Sequence, residues 1–236
     1  MRSTISLLVL AIAATVLGTA DQALAQKESV RPGINKPFES PNIGMFKGLF
    51  EIEGRDAFDH RQQILDACRI EPGMSVADIG AGTGLFTRMF SKSVGPAGRV
   101  YAVDISDEFV EHIRKQAEGE KLANVTPVLC TPDDVNLPPA SVDLAFVCDT
   151  YHHFEYPART LASIHKALKP GGALILIDFR RIEGVSSAWT LSHVRAGQEV
   201  FVREIVDAGF RQVEEKPDLL DESYFIRFEK ASAAAN

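Results

Sequence analysis

The chain has 236 residues, a formal net charge of −7 and 45% hydrophobic residues. This length suits one large domain with a substantial apolar core. The acidic balance and the lack of a basic cluster argue against a nucleic-acid-binding protein. Three widely spaced cysteines form neither a C-x-x-C pair nor a Cys/His ligand set, so no metal site is predicted.

The first 25 residues have the features of a secretory signal. Arg2 precedes an uncharged apolar run at residues 5–17, and Ala23-Leu24-Ala25 forms an A-x-A cleavage site. The run is shorter than the ~20 residues that span a bilayer. We therefore predict cleavage after Ala25, export to the periplasm and no stable membrane insertion of the mature chain. An uncleaved N-terminal anchor is the alternative.

Residues 26–54 are predicted to form an irregular N-terminal arm, because three prolines are scattered among Gly, Asn and Ser. The main domain is predicted over residues 55–230 and opens with a helix at 55–68. Arg55, the first residue of that helix, is expected on the surface. An Ala-rich tail, residues 231–236, follows the domain.

The central motif is a strand, a glycine-rich turn and a helix. Residues 75–79 predict a short buried strand, and the segment Gly80-Ala81-Gly82-Thr83-Gly84 leads into a helix near Leu85. Glycine lets a ligand approach the backbone closely, and a helix start offers unpaired N–H groups to an anion. Such a corner binds nucleotides in doubly wound α/β sheets. The dinucleotide pattern G-x-G-x-x-G is not met, because Leu85 stands in place of its last glycine.

Strands and helices alternate along the rest of the chain, which predicts one Rossmann-like, doubly wound α/β sheet. Four further strands are predicted at residues 99–105, 125–130, 141–148 and 173–178. The turn Lys169-Pro170-Gly171-Gly172 is predicted to end a helix at 157–168. Residues 180–197 are predicted to be irregular and contain Trp189, His193 and Arg195. The last two strands, at 210–215 and 224–229, are predicted to form an antiparallel C-terminal edge on the otherwise mostly parallel sheet.

The motif D-x-G-x-G-x-G, which begins at Asp78, resembles motif I of the class I S-adenosylmethionine (SAM)-dependent methyltransferases. A helix that ends in K-P-G-G before an apolar strand is also common in that family. The likeness covers about residues 61–230 and is greatest to the small-molecule group that includes quinone-biosynthesis C-methylating enzymes. It implies SAM as the cofactor and a small-molecule methyl acceptor as the partner.

The resemblance also implies roles for individual residues. Asp104, at the end of the second strand, is expected to accept hydrogen bonds from both ribose hydroxyls. An acid before Leu137-Pro138 is expected at the adenine amino group, with Asp133 the better fit and Asp134 the alternative. Arg55 has an alternative role at the SAM carboxylate. The implied cofactor-binding residues are Asp78, Gly80, Ala81, Gly82, Gly84, Asp104, Ile105, Asp133 and Asp149.

The segment after the fourth strand, Asp149-Thr150-Tyr151-His152-His153, resembles motif IV, whose loop faces both the methyl group and the acceptor. His152 or His153 is the candidate base if the acceptor must lose a proton. Because adjacent rings point in different directions, only one is expected to serve. Asp149 is expected either to help hold an amine or to face the amino-acid end of SAM.

The predicted function is methyl transfer from SAM to an unidentified small molecule. SAM is made in the cytosol, so the export signal keeps a second hypothesis open, an exported SAM-fold binding protein without turnover. A nicotinamide-dependent oxidoreductase would share Asp104 but fails at Leu85. A metal ion shared by Asp149 and Asp178 is not favoured.

Overall fold

The computed structural model describes residues 26–231. The predicted signal, residues 1–25, and residues 232–236 of the tail lie outside this range. Seven strands form one sheet in the order β3-β2-β1-β4-β5-β7-β6. The strands are β1 (Ser75–Ile79), β2 (Arg99–Asp104), β3 (Val125–Leu129), β4 (Val142–Cys148), β5 (Leu168–Phe179), β6 (Phe210–Glu215) and β7 (Ser223–Lys230). The predicted α/β class is confirmed.

Strands β1 to β5 are mutually parallel, whereas β7 runs antiparallel to both β5 and β6. Strand β1 lies between β2 and β4, so the chain reverses its direction of winding there. Open α/β sheets bind ligands outside the carboxyl ends of the strands at such a switch point. The sheet therefore places the ends of β1, β2 and β4 around one crevice.

Helices cover both faces of the sheet. They are α1 (Ile43–Phe50), α2 (Asp56–Asp59), α3 (Arg61–Cys68), α4 (Leu85–Val94), α5 (Asp107–Gly119), α6 (Pro157–Ala167), α7 (Ala188–His193) and α8 (Gln198–Asp207). Helices α6 and α8 bury Leu161 and Phe201 in one apolar layer, while α3 and α4 bury Ile64 and Phe90 in the other. Within residues 26–231, no helix combines the length and apolar character needed to cross a membrane.

Three local predictions were wrong. The helix expected at 55–68 is two helices, because His60 lies between α2 and α3 outside helical geometry. Residues Lys169 to Gly172 belong to β5 and do not form a separate turn. In the pairing with β4, Val142 lies opposite Leu168 and Leu144 lies opposite Ala173, so the four residues between Leu168 and Ala173 form a bulge in β5. Helix α7 lies in a stretch predicted to be irregular.

Candidate active site

A cavity of about 560 Å³ opens at the carboxyl ends of β1, β2 and β4. Its size is typical of small-molecule sites. Three buried carboxylates, a glycine-rich turn and a group of histidines share its wall. The predicted site residues that line it are Asp78, Gly80, Ala81, Gly82, Asp104, Ile105, Asp149, His152 and His153.

The glycine-rich turn gives the cavity its shape. Gly80 and Gly82 have φ of 75° and 53°, the left-handed region that favours glycine. A Cβ on Gly80 would lie 2.3 Å from Thr150, and one on Gly82 would lie 3.3 Å from the Phe50 ring across the cavity. Gly84 is the N-cap of α4 and is not among the lining residues.

The turn's backbone N–H groups are bonded within the protein. Those of Gly80 and Ala81 donate to the Val103 carbonyl at 2.8 and 3.0 Å, and that of Gly82 donates to Asp104 at 2.8 Å. These three N–H groups are therefore not available to a ligand. The turn offers a close-fitting surface, which suits a ligand without a phosphate.

Asp78 lies at the end of β1 and is buried, with its Oδ2 accepting a hydrogen bond from the Thr87 hydroxyl at 2.6 Å. Burial raises the pKa of Asp78 to about 7, against the opposing effect of that hydrogen bond. A cation bound beside such an acid would lower its pKa and favour its ionised form. Thr87, nine residues along the chain, had no predicted role.

Asp104 is the last residue of β2, and its side chain links the glycine-rich turn to the start of α5. Its two oxygens accept the N–H groups of Gly82 at 2.8 Å and Ser106 at 3.0 Å. Burial raises the pKa of Asp104, and the backbone hydrogen bonds oppose that rise. A carboxylate has about four acceptor sites, so lone pairs remain for two hydroxyl groups of a ligand. Ile105 follows directly on the cavity wall.

Asp149 follows β4 in a left-handed conformation, with φ of 48°. Its side chain is 8% exposed, and Oδ2 accepts a hydrogen bond from Arg55 at 2.6 Å. Oδ1 is buried and has no hydrogen-bond partner in the described chain. Burial raises the pKa of Asp149, and the nearby Arg55 guanidinium opposes the rise. Arg55 lines the cavity, so its expected surface position was wrong.

Asp133 is not among the residues that line the cavity. Its carboxylate accepts a hydrogen bond from the Thr131 hydroxyl at 2.7 Å and pairs with Arg159 at 2.6 Å. Its neighbour Asp134 is exposed and does not line the cavity either. Thr131 and Pro132 line this part of the wall instead. A contact between Asp133 and adenine therefore stays a prediction.

His152 and His153 belong to a short 3₁₀ helix, Tyr151–His153, that begins three residues after the end of β4. His152 is 1% exposed, and Asp178 holds it twice: Oδ1 lies 2.8 Å from Nδ1, and Oδ2 accepts the backbone N–H at 3.0 Å. The His153 Nε2 lies 3.3 Å from that of His193 in α7. Both residues line the cavity, and the expectation that only one of them serves stays a prediction.

The environment of His153 and His193 favours the neutral imidazole. Burial lowers the pKa of His153 to about 2, with the neighbouring His152 and His193 lowering it further. Burial also lowers the pKa of His193. The Nδ1 of His153 is buried and has no hydrogen-bond partner within residues 26–231.

The N-terminal arm covers the cavity. The Asn35 side chain donates to the His153 carbonyl at 3.1 Å, and Phe38 meets the His153 ring edge-on at a centroid distance of 5.1 Å. Phe46 and Phe50 pack together at 5.3 Å. Both of these phenylalanines also line the cavity, so this part of the arm forms one of its walls.

The cysteines are not positioned as reactive groups. Cys130 and Cys148 line the cavity, whereas Cys68 is buried in the core. Burial raises the pKa of the Cys130 thiol to about 12 and that of Cys148 well above its ordinary value. Because the thiolate is the nucleophile, neither thiol is activated.

Sequence comparisons agree with this geometry. Residues 77–176 match a family model described as a methyltransferase domain. A ubiquinone/menaquinone biosynthesis C-methyltransferase of Bordetella avium is 32% identical over 114 residues, which cover 48% of this chain and 44% of that protein. An uncharacterized 37.1 kDa protein in transposon TN4556 of Streptomyces fradiae is 33% identical over 163 residues, 65% of this chain and 46% of that protein. The chain thus spans less than half the length of these two relatives.

The structural comparison extends the match beyond the region that the family model covers. The crystal structure of a SAM-dependent methyltransferase from Aquifex aeolicus has a TM-score of 0.70 and 25% identity, and the match covers 81% of this chain and 100% of that one. The domain match, the relatives, the sheet order and the glycine-rich corner all agree. The chain carries a methyltransferase domain over residues 77–176 and has the fold of the class I SAM-dependent methyltransferases.

Proposed function

We propose that this protein transfers a methyl group from SAM to a small-molecule acceptor in the cavity. The observation that carries the proposal is the charge of the wall. Asp78, Asp104 and Asp149 all line the cavity, and Arg55 is the only Lys or Arg among the described lining residues. Buried carboxylates in excess favour a cationic ligand. SAM carries a sulfonium and an ammonium, so its charge complements this wall.

The residues present fit SAM. The lone pairs that remain on Asp104 suit ribose hydroxyls, and Ile105 offers an apolar surface to adenine. Asp78 and the unpartnered Oδ1 of Asp149 provide acceptors for an ammonium group. The missing side chain of Gly82 leaves room between the turn and Phe50. When bound, SAM supplies a methyl group already activated by its sulfonium.

The chain's own contribution to the reaction is positioning and exclusion of water. Seven phenylalanines and one tryptophan line the cavity, several of them from the arm that covers it. An acceptor with an apolar or aromatic body suits such a wall. His152, held by Asp178 through Nδ1, is the proposed base for an acceptor O–H or activated C–H, and His153 is the alternative.

Turnover separates the enzyme from the non-catalytic binding protein. The purified protein is incubated with SAM and pools of phenols, quinones, lipids and amines, and S-adenosylhomocysteine is measured by mass spectrometry. We expect acceptor-dependent formation of S-adenosylhomocysteine and a mass increase of one methylene on the acceptor. Tight SAM binding without methyl transfer to any pool or cell extract would instead favour the binding protein.

We also propose that the mature protein is exported and begins at Gln26. Two contacts support this start: the Gln26 side chain donates to the Glu155 carbonyl at 3.3 Å and accepts the Ala158 N–H at 3.0 Å. Cleavage after Ala25 would leave both contacts intact. The N-terminal mass of the native protein tests the proposal, since a chain that begins at Met1 in cells would refute cleavage.

A further inference from the structure

Three histidine side chains that line the cavity converge. His152 and His153 come from the 3₁₀ turn after β4, and His193 is the last residue of α7. One nitrogen of each ring lies within 4.8 Å of the other two, and all three residues line the cavity. Neutral imidazole is a common ligand of Zn²⁺ and other divalent transition metals.

His152 is oriented as a metal ligand would be. Its Nδ1 lies 2.8 Å from Asp178, a buried carboxylate that also accepts the His152 backbone N–H. With Nδ1–H donating to Asp178, Nε2 is the nitrogen left to bind. A carboxylate that orients a metal-binding histidine through its other nitrogen is the usual outer partner in zinc sites.

The other two rings hold their Nε2 atoms at the separation of two ligands on one metal ion. His153 Nε2 and His193 Nε2 lie 3.3 Å apart. Ligands at 2.0–2.1 Å from a tetrahedral zinc ion are separated by about 3.3 Å, so these two nitrogens match without movement. Trp189 stacks on the His193 ring at 4.5 Å, and Phe38 packs edge-on against His153, which holds both rings in place.

We propose that His152, His153 and His193 bind a divalent transition-metal ion, with Zn²⁺ as the best fit. Three histidines leave one position of a tetrahedral ion open, as in catalytic zinc sites. Because the ligands line the cavity, an oxygen or nitrogen of the methyl acceptor can take that position. This role rests on the proposed function, whereas metal binding itself does not. With the ion bound, the histidines act as ligands and not as bases.

A second group of potential ligands, Asp56, His60 and Asp221, provides an internal control. The Asp56 carboxylate already accepts three backbone N–H groups at 2.9–3.0 Å, and the Asp221 side chain is 86% exposed. This group serves to fix the loop before β7, so we expect it to bind no ion.

The test uses the full chain, free of affinity-tag histidines and stripped of metal by a chelator. Zn²⁺ binding is followed by calorimetry and Co²⁺ binding by visible absorption, which is intense for tetrahedral sites. We expect one ion per chain. Asp178→Asn should weaken Zn²⁺ binding ~10–100-fold through the loss of its outer carboxylate, and His153→Gln and His193→Gln should each weaken it more than that. His60→Gln should leave it unchanged.

The proposal fails if the wild type binds no Zn²⁺ at about 100 μM, or if both glutamine variants, folded by circular dichroism, bind as the wild type does. Loss of binding in His60→Gln alone would also overturn it. Two glutamine variants keep the test decisive if one does not fold. SAM binding is measured separately on the same samples. A protein that binds Zn²⁺ but not SAM would refute the proposed function and leave the metal site standing.

Discussion

Replacing Asp78 by asparagine should flatten the pH dependence of stability. The substituted side chain retains an oxygen for the Thr87 hydroxyl but cannot titrate. In the native protein the pKa of Asp78 is about 7, raised by burial from its ordinary value of 3.8. The folded state therefore holds this proton between about pH 4 and pH 7, whereas the unfolded state has released it. The stabilising effect is present at low pH and is lost as the pH rises through 7.

The size of the effect follows from the linkage between proton binding and folding. Each pH unit within the window is worth about 1.4 kcal/mol, so Asp78 should cost the wild type roughly 3 kcal/mol between about pH 5 and pH 8. Other groups also titrate in this range, but they are present in both the wild type and the Asp78→Asn variant. The difference between the two proteins therefore isolates Asp78, provided the sites are independent.

Urea unfolding at a series of pH values measures this difference. Stability should fall more steeply with rising pH in the wild type than in Asp78→Asn. The matched control is Asp218→Asn, at an exposed acid that does not line the cavity, which should track the wild type. Parallel profiles for the wild type and Asp78→Asn would show that the buried carboxyl keeps an ordinary pKa, and the reasoning would be wrong.

The same proton should appear in ligand binding. If Asp78 pairs with the SAM ammonium, it must first lose its proton, so the dissociation constant should fall about tenfold per pH unit as the pH rises towards 7. Calorimetry in buffers of different ionisation enthalpy measures the released proton directly. Asp78→Asn should bind more weakly above pH 7 and release no such proton. Equal proton release by both proteins would exclude this pairing.

Three further substitutions test the site. Gly82→Val should abolish SAM binding because the valine side chain would enter the space between the glycine-rich turn and Phe50. Gly73 also has a positive φ but faces open space, so Gly73→Val should lower only the stability. Equal SAM affinities of the two variants would exclude a close approach of the ligand to Gly82. Asp104→Asn should leave one buried N–H without an acceptor and lower the free energy of unfolding by about 1–3 kcal/mol, with weaker SAM binding; an unchanged dissociation constant would exclude the ribose contact. His152→Ala should keep SAM binding and lower turnover by ~10²-fold or more, with His165→Ala as the control; full turnover would remove its catalytic role.

Local patterns predicted the sheet and the glycine-rich corner well. Strands such as β4 are short apolar runs between turn residues, and that signal lies within the strand itself. The bulge in β5 was missed because Pro170 and Gly171 mark a break in regular pairing without showing whether the chain leaves the sheet. Here β5 pairs with β4 both before the bulge, at Leu168, and after it, from Ala173 onward.

The contacts that orient the site's side chains could not be predicted from local sequence patterns. Asp149 meets Arg55 across 94 positions of the chain, and Asp178 meets His152 across 26. The resemblance marked Asp149 and His152 as site residues, but only folding reveals which partners fix their orientation. His193 is the clearest case: it was noted in an irregular stretch, and an unpredicted helix brings it to His153.

Direct binding of SAM is the measurement that tests the central claim most closely. The purified mature chain is titrated with SAM by calorimetry near pH 8, where Asp78 is ionised, and the complex is weighed by native mass spectrometry. We predict one SAM per chain, displaced by S-adenosylhomocysteine. A folded protein that binds neither molecule at millimolar concentration would contradict the account.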